Sequence, residues 1–299
     1  MPGATDDVET GSIRANGVRF HYIAMGTGPL LLCLHGFPDH AHTFRHQLKH
    51  FSAAGYRVVA PFMRGYDPTT SSEGAATFYV ADLAHDVVEL VKSLGAGRAT
   101  LLGHDWGAHA AYGTAVLAPE MFDRIVTLAV PYGPGLREAF VTSPEQQRRS
   151  WYIFFFQSRL AEAALAYDDH ALVERLWRDW SPGWAPSPDD MKAIRTAFAS
   201  PGVTSAALEY YRCALGTAAH AGQHAELQRR IGVDPIRVPC LYLHGEQDGC
   251  IGYAVASRMA ELFPNGLDRR LLPGVGHFLH LERPDDVNGI IAAYLARGA

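Results

Sequence analysis

The sequence predicts an α/β fold: a mostly parallel central sheet flanked by helices, with a helical segment inserted at one point. Three observations carry that prediction. Short, continuous apolar runs alternate with amphipathic stretches. A glycine-bracketed turn, Gly103-His-Asp-Trp-Gly107, separates one such run from a helical pattern. Strand character then disappears from about residue 131 to 225 before it returns.

Residues 19–24 alternate loosely, as an edge strand does. Leu30-Leu-Leu-Cys-Leu34 is apolar throughout, the pattern of a strand covered on both faces, and it runs into His35-Gly-Phe-Pro38. Residues 56–60 read as a second buried strand. From 77 to 94 the apolar residues fall at helical spacing, and Gly95 stops that helix. Residues 99–102 form the strand that enters the glycine-bracketed turn. Ala108, Ala110, Ala111 and Ala115 follow it on a helix small enough to approach the sheet closely. A further strand is expected at 124–130. The next stretch, to about 223, is helical, aromatic and punctuated by Ser181-Pro-Gly-Trp-Ala-Pro-Ser-Pro188. Strands are expected again at 238–244 and 269–272, with helices near 253–263 and from Pro284. The expected division is therefore a core of 1–130 and 226–299 and a helical cap of 131–225. The cap is placed over the carboxyl edge of the sheet, where such folds bind ligands.

Composition narrows the function classes. With 48% apolar and 19% charged residues, the chain can bury a sizeable core. The net charge of -5 and the lack of a basic block argue against a nucleic-acid partner. Apolar runs fall short of the roughly 18 residues that a membrane span needs. Residues 1–7 are acidic and lack an apolar signal core, so the expected location is the cytosol. Of the four cysteines, Cys33 and Cys240 lie in apolar runs and read as buried thiols; with no C-x-x-C spacing, disulfides are not expected.

The turn at 103–107 has the form of a strand–turn–helix elbow, which holds its tip residue clear of the sheet. The tip here is Asp105, where many such elbows carry serine. A serine needs a base to activate it, whereas a carboxylate is already ionised at neutral pH. It can displace a leaving group from saturated carbon, giving an alkyl ester of the protein. Release then requires an activated water and donors at the ester carbonyl. The sequence supplies both. Gly245-Glu-Gln-Asp-Gly249 places Asp248 after a strand, and Gly274-Val-Gly-His277 places His277 after the last one. The backbone N–H groups of Phe37 and Trp106 are the expected oxyanion donors. Asp123 precedes its strand and fits the acid's place less well than Asp248. His280 lacks the flanking glycine turn of His277.

These motifs, HGFP at 35–38, MRGY at 63–66, GHDWG at 103–107 and GHF at 276–278, resemble those of the α/β-hydrolase superfamily, and within it the epoxide hydrolases and the related haloalkane dehalogenases. The likeness runs from about residue 17 to the C-terminus, with Asp67 standing where the pattern commonly has glycine. It implies an α/β-hydrolase fold and opening of an epoxide to a vicinal diol. Ring opening creates an alkoxide that needs a proton donor, and departure of a halide does not. Ser150-Trp-Tyr-Ile-Phe-Phe-Phe-Gln157 is similar to the Y-x-x-x-F-Q segment of epoxide hydrolase caps and selects Tyr152. Leu208-Glu-Tyr-Tyr-Arg212 resembles their N-W-Y-R segment and selects Tyr211, with Tyr210 as the alternative.

The aromatic cap implies a hydrophobic small-molecule substrate, lined by Phe37, Trp106, Trp151, Phe155 and Phe278. His42, His46 and His50 have helical spacing, but no carboxylate or cysteine completes a ligand set, and the chemistry calls for neither metal nor cofactor. Monomer and homodimer both stay open. Two other readings keep the same scaffold: a haloalkane dehalogenase using Asp105, and a ligand-binding protein without catalysis.

Overall fold

The structure, a computed structural model, describes residues 8–71, 77–216 and 222–297; the acidic stretch 1–7 lies outside them. The strands are β1 (Glu9–Ala15), β2 (Val18–Met25), β3 (Leu30–Leu34), β4 (Arg57–Pro61), β5 (Thr70–Ser71), β6 (Ala99–His104), β7 (Phe122–Leu128), β8 (Cys240–Gly245) and β9 (Leu267–Leu272). They form one sheet in the order β1-β2-β4-β3-β6-β7-β8-β9, with β5 paired to β2. From β4 to β9 every pairing is parallel; β1, β2 and β5 pair antiparallel at the other end. This is the α/β-hydrolase fold that the motifs imply.

Core helices α1 (Arg45–Ala53), α2 (Val80–Ser93), α3 (Trp106–Leu117), α10 (Ala225–Arg230), α11 (Leu279–Glu282) and α12 (Pro284–Ala296) flank the sheet. Between β7 and β8 the chain inserts α4 (Gly135–Thr142), α5 (Pro144–Arg149), α6 (Trp151–Phe155), α7 (Ala161–Trp180), α8 (Pro188–Ala199) and α9 (Val203–Leu215). Proline punctuation explains two of their starts. Ser143 and Ser187 accept hydrogen bonds from Gln146 N and Asp190 N, and each precedes a proline at the first helical position, where no N–H is needed. The α7 backbone breaks at 167–170, where Asp168, Asp169 and His170 take positive φ.

The buried strands divide their side chains between the two faces. Leu30, Leu32, Leu34, Leu101 and Ile125 enter one apolar cluster, with α2, α3 and the inserted helices. Leu31, Cys33, Leu102, Val126 and Leu243 enter the other, with α1 and α12. A period of two thus accounts for runs that are apolar at every position. Burying each such side chain contributes about 1.5–3 kcal/mol.

Two expectations change. Residues 19–24 are not an edge strand: β2 pairs with β1 on one side and β4 on the other. The edge is β1, joined to β2 through Asn16-Gly17 in positive φ. Residues 253–263 form two short 3-10 turns, Tyr253–Ala256 and Met259–Leu262, rather than one helix. All four cysteines are free thiols. Among the described residues no helix is long and apolar enough to cross a membrane.

Strand order sets the position of the site. The chain leaves β3 for β4 on one side and later returns to β6 on the other. The carboxyl ends of β3 and β6 therefore diverge into a crevice, the place where open α/β sheets bind ligands.

Candidate active site

Asp105 stands at the carboxyl end of β6, between that strand and α3. Its backbone has φ 52 and ψ -117, outside the ordinary regions for an L-residue. Such a conformation costs on the order of 1–3 kcal/mol and persists because the surroundings enforce it. The bracketing glycines permit the tight path. A Cβ on Gly103 would collide with the Gly107 carbonyl, and one on Gly107 with the Leu34 carbonyl of β3. Asp105 O then accepts from Ala108 N at 2.9 Å, which begins α3.

The result is a buried carboxylate, 5% exposed, aimed at the crevice. The Phe37 N–H, from the loop after β3, donates to its Oδ1 at 2.8 Å. Its Oδ2 lies 3.7 Å from His277 Nε2. Trp106 opens α3, so its backbone N–H is one of the donors that a helix leaves free at its start. Burial opposes the charge on Asp105, but the His277 imidazole beside it holds the carboxyl below its usual range.

His277 and Asp248 meet from the loops after β9 and β8. His277 Nδ1 lies 2.9 Å from Asp248 Oδ2, while Asp248 Oδ1 accepts from Cys250 N at 2.7 Å and Ile251 N at 2.8 Å. A carboxylate cannot donate, so His277 Nδ1 carries the hydrogen and Nε2 faces Asp105. Burial works against a charged imidazole, yet the Asp248 and Asp105 carboxylates outweigh it and raise the His277 pKa to about 10. Burial also opposes the Asp248 charge, and His277 overcomes it and lowers that pKa.

A brace invisible in any local motif fixes both loops. The Trp180 carbonyl, at the end of α7, accepts from Gly249 N and His277 N, each at 3.0 Å. Ser181 Oγ donates to Glu282 Oε1 at 2.6 Å and accepts from Phe278 N at 3.2 Å. Glu282 Oε2 takes the Gly276 N–H at 2.9 Å. His104 Nε2 donates to the His277 carbonyl at 3.1 Å. From α5, Arg149 donates to the Asp248 carbonyl and Gln146 to the Cys250 carbonyl. The inserted helices are thus fastened to the acid's loop.

Above Asp105 sits an aromatic shell. The Phe37 ring packs against Phe156, Trp180, Phe198 and Tyr211 at centroid distances of 5.3–6.2 Å. Trp106 packs against Tyr211 at 5.1 Å, and Tyr152 against Tyr211 at 5.6 Å. The two adjacent tyrosines of α9 differ. Tyr210 donates its hydroxyl to the Arg64 carbonyl at 2.7 Å, and Arg64 is itself held by a buried ion pair with Asp86. The Tyr211 hydroxyl is buried with no hydrogen-bond partner among the described residues, as is Trp106 Nε1. Tyr152, on α6, is buried beside Trp180. Burial holds both the Tyr152 and Tyr211 phenols well above their usual pKa; Cys250 and Tyr211 add to the effect at Tyr152, and Asp105 and Cys250 at Tyr211.

Two expected wall residues stand elsewhere. Trp151 is among the exposed large apolar side chains, and Phe155, one turn on, is half-buried beside it. A helix sends residues 151 and 155 to one side and 152 and 156 to the other. The inward residue is therefore Phe156, fully buried against Phe37, Tyr152 and Tyr211. Phe278 is buried in a stack on Trp177, 4.0 Å between centroids, and lies perpendicular to the His277 ring.

A carboxylate pinned by a backbone donor, an imidazole aligned by a second carboxylate and two phenols above them can perform nucleophilic displacement with acid assistance, followed by ester hydrolysis. Sheet order, elbow and inserted helices together define an α/β hydrolase. Residues 29–284 match the family described as alpha/beta hydrolase fold. The chain is 31% identical over 291 residues to Epoxide hydrolase 4 of Mus musculus, covering 95% of this chain and 78% of that protein. It is 29% identical over 283 residues to Epoxide hydrolase 2 of Caenorhabditis elegans, covering 92% and 77%. Among solved structures, the Bacillus megaterium epoxide hydrolase bound to an inhibitor superposes with a TM-score of 0.82 at 27% identity, covering 96% of this chain and all of that one. The chain belongs to the epoxide hydrolase family of the α/β hydrolases.

Proposed function

We propose that the protein converts a hydrophobic epoxide and water to a vicinal diol through an ester on Asp105. One observation carries the reading: two buried phenols, Tyr152 and Tyr211, lie in the same aromatic shell over a carboxylate tip. The relatives' activity supports it. In this reading residues 131–225 act as a cap domain over a core of 1–130 and 226–299. Asp105 Oδ2 attacks an epoxide carbon and the ring C–O bond breaks. Tyr152 and Tyr211 both hydrogen-bond the ring oxygen, and a proton passes to it from one of the two phenols. Oδ1 becomes the ester carbonyl oxygen, with Phe37 N–H already on it and the Trp106 N–H as second donor. Such a donor is worth about 3–4 kcal/mol to an acyl transition state.

Water then attacks the ester carbonyl carbon. His277 Nε2 takes its proton and returns it to the departing diol oxygen, while Asp248 holds the ring in the required tautomer. The new Asp105 carboxyl group loses its proton, which restores the phenol. Phe37, Trp106 and Phe156 line the apolar side of the cavity, and Phe278 supports the histidine.

The haloalkane reading would need two N–H donors for a departing halide. Trp106 Nε1 can be one; Phe37 supplies no second from its side chain. The deciding experiment sets a terminal alkyl epoxide, a styrene-type epoxide and a fatty epoxide beside haloalkanes. Diol should form from one or more of the epoxides, with no halide release. Tyr152→Phe and Tyr211→Phe should each slow ester formation by about 10²-fold, the contribution of one acid catalyst. Halide release that survives both replacements would favour the dehalogenase.

The two steps should also differ in pH dependence. Alkylation needs Asp105 ionised, which its lowered pKa ensures, and the phenols protonated, which their raised pKa ensures. Its rate should stay flat across the neutral range. Hydrolysis needs His277 neutral. In the free enzyme His277 is protonated below about 10, but the ester removes the Asp105 charge and with it part of the pull on that proton. Hydrolysis should therefore accelerate as pH rises through a His277 pKa lower than that of the free enzyme. Rapid-mixing measurements of ester formation and decay should show ester accumulating at low pH and vanishing at high pH.

A further inference from the structure

Cys250 lies where the acid's loop meets the cap. Its backbone N–H donates to Asp248 Oδ1 at 2.7 Å, and its carbonyl accepts from Gln146 Nε2 at 3.0 Å. Its Sγ lies 3.2 Å from the Tyr152 hydroxyl oxygen, and the side chain is fully buried. Nothing in the mechanism above uses it.

Two hydrogens compete for that 3.2 Å gap, one on oxygen and one on sulfur, and only one can occupy it. Burial and the charges of Asp248 and Asp105 keep the thiol protonated. If the phenol donates to sulfur, its proton is turned away from a bound epoxide. If the thiol donates to the phenol oxygen, the phenolic hydrogen is free for the epoxide, and the phenolate left behind already has a donor. A thiol is a weak donor and a weak acceptor, so the reversal is easy.

We propose that Cys250 is a positioning residue for Tyr152: its S–H donates to the Tyr152 oxygen, aims the phenolic O–H at the epoxide and stabilises the phenolate formed in ring opening. This rests on the reading of Tyr152 as a cap acid. Bond changes balance without an added reagent. The Asp105 oxygen–carbon bond forms, the ring C–O bond breaks, the Tyr152 proton moves to the ring oxygen, and the S–H bond stays intact.

The test compares Cys250→Ser, Cys250→Ala, Tyr152→Phe and the double variant Tyr152→Phe with Cys250→Ala, using styrene oxide and rapid mixing to read ester formation against pH. Serine can donate as the thiol does, so C250S should stay within about twofold of the parent. C250A should be slowed about tenfold, the scale of one hydrogen bond to a developing charge. In the Tyr152→Phe background the alanine replacement should cost nothing further. Parent-like rates in C250A overturn the proposal. So does a C250A loss that persists undiminished with Phe at 152, since that marks a purely structural role. Should Tyr152→Phe itself react at the parent rate, the reading of Tyr152 as an acid falls, an outcome distinct from a slow Y152F paired with a neutral C250A.

Discussion

Replacing Asp105 with alanine should leave the protein folded and lower epoxide turnover by about 10⁴-fold or more, the scale seen when a residue of a covalent catalytic unit is removed. Asp105 is the one group whose atoms bond to the substrate in the proposed cycle. Alanine is less suited than aspartate to φ 52, so part of any loss of stability reports on the backbone. Asp105→Asn separates the two effects: it tolerates positive φ and keeps the size, but it is no nucleophile. Both variants should be comparably inactive, and asparagine the more stable by thermal melting. An oxygen-18 experiment tests the same bond in the parent. With enzyme in excess over epoxide in labelled water, one turnover should put the label into Asp105 and leave the diol unlabelled. Label in the diol after a single turnover would mean that water opens the ring directly, and the carboxylate would then be only an electrostatic aid.

What the sequence discloses is what local chemistry encodes. Asp105 and Asp248 each follow a buried strand and His277 follows the half-exposed last strand, and each lies in or just after a glycine turn. Strand pattern and turn chemistry together place them at one edge of a parallel sheet. The brace of Ser181, Glu282 and the Trp180 carbonyl is different in kind. It joins segments about a hundred positions apart, and no spacing in either segment announces the pairing. The choice between Tyr210 and Tyr211 is equally tertiary. Both are buried, and only the position of the Arg64 carbonyl occupies one hydroxyl and leaves the other toward Trp106. Other departures had a signal that apolar periodicity passes over. Asn16-Gly17 is a hairpin turn signature, and it announces the edge strand β1, whose own residues are mostly polar and exposed. Phe156 follows Tyr152 by four residues, one helical turn, so an inward Tyr152 brings Phe156 rather than Phe155 to the same side.

Converting His277 to glutamine should stop the cycle halfway. The first step asks nothing of His277 as a base, since Asp105 is ionised before the epoxide arrives. In the proposed cycle the second cannot proceed without it, because Nε2 takes the proton of the attacking water. The variant should therefore react once per active site and then stall. Its intact mass should rise by the mass of one epoxide, and peptide mapping should place the increment on Asp105. Steady-state turnover should fall by at least about 10³-fold. Glutamine fits the space but leaves Asp248, buried and still bonded to two backbone N–H groups, without its cationic partner, so some loss of stability accompanies the block. Raising pH should not rescue hydrolysis, because no group with the histidine's proton affinity replaces it. In the parent, by contrast, the ester should decay faster as pH rises. If turnover drops to the same degree and no mass increment appears at any pH, the histidine acts before or during ring opening, and the two-step scheme with its covalent ester must be abandoned.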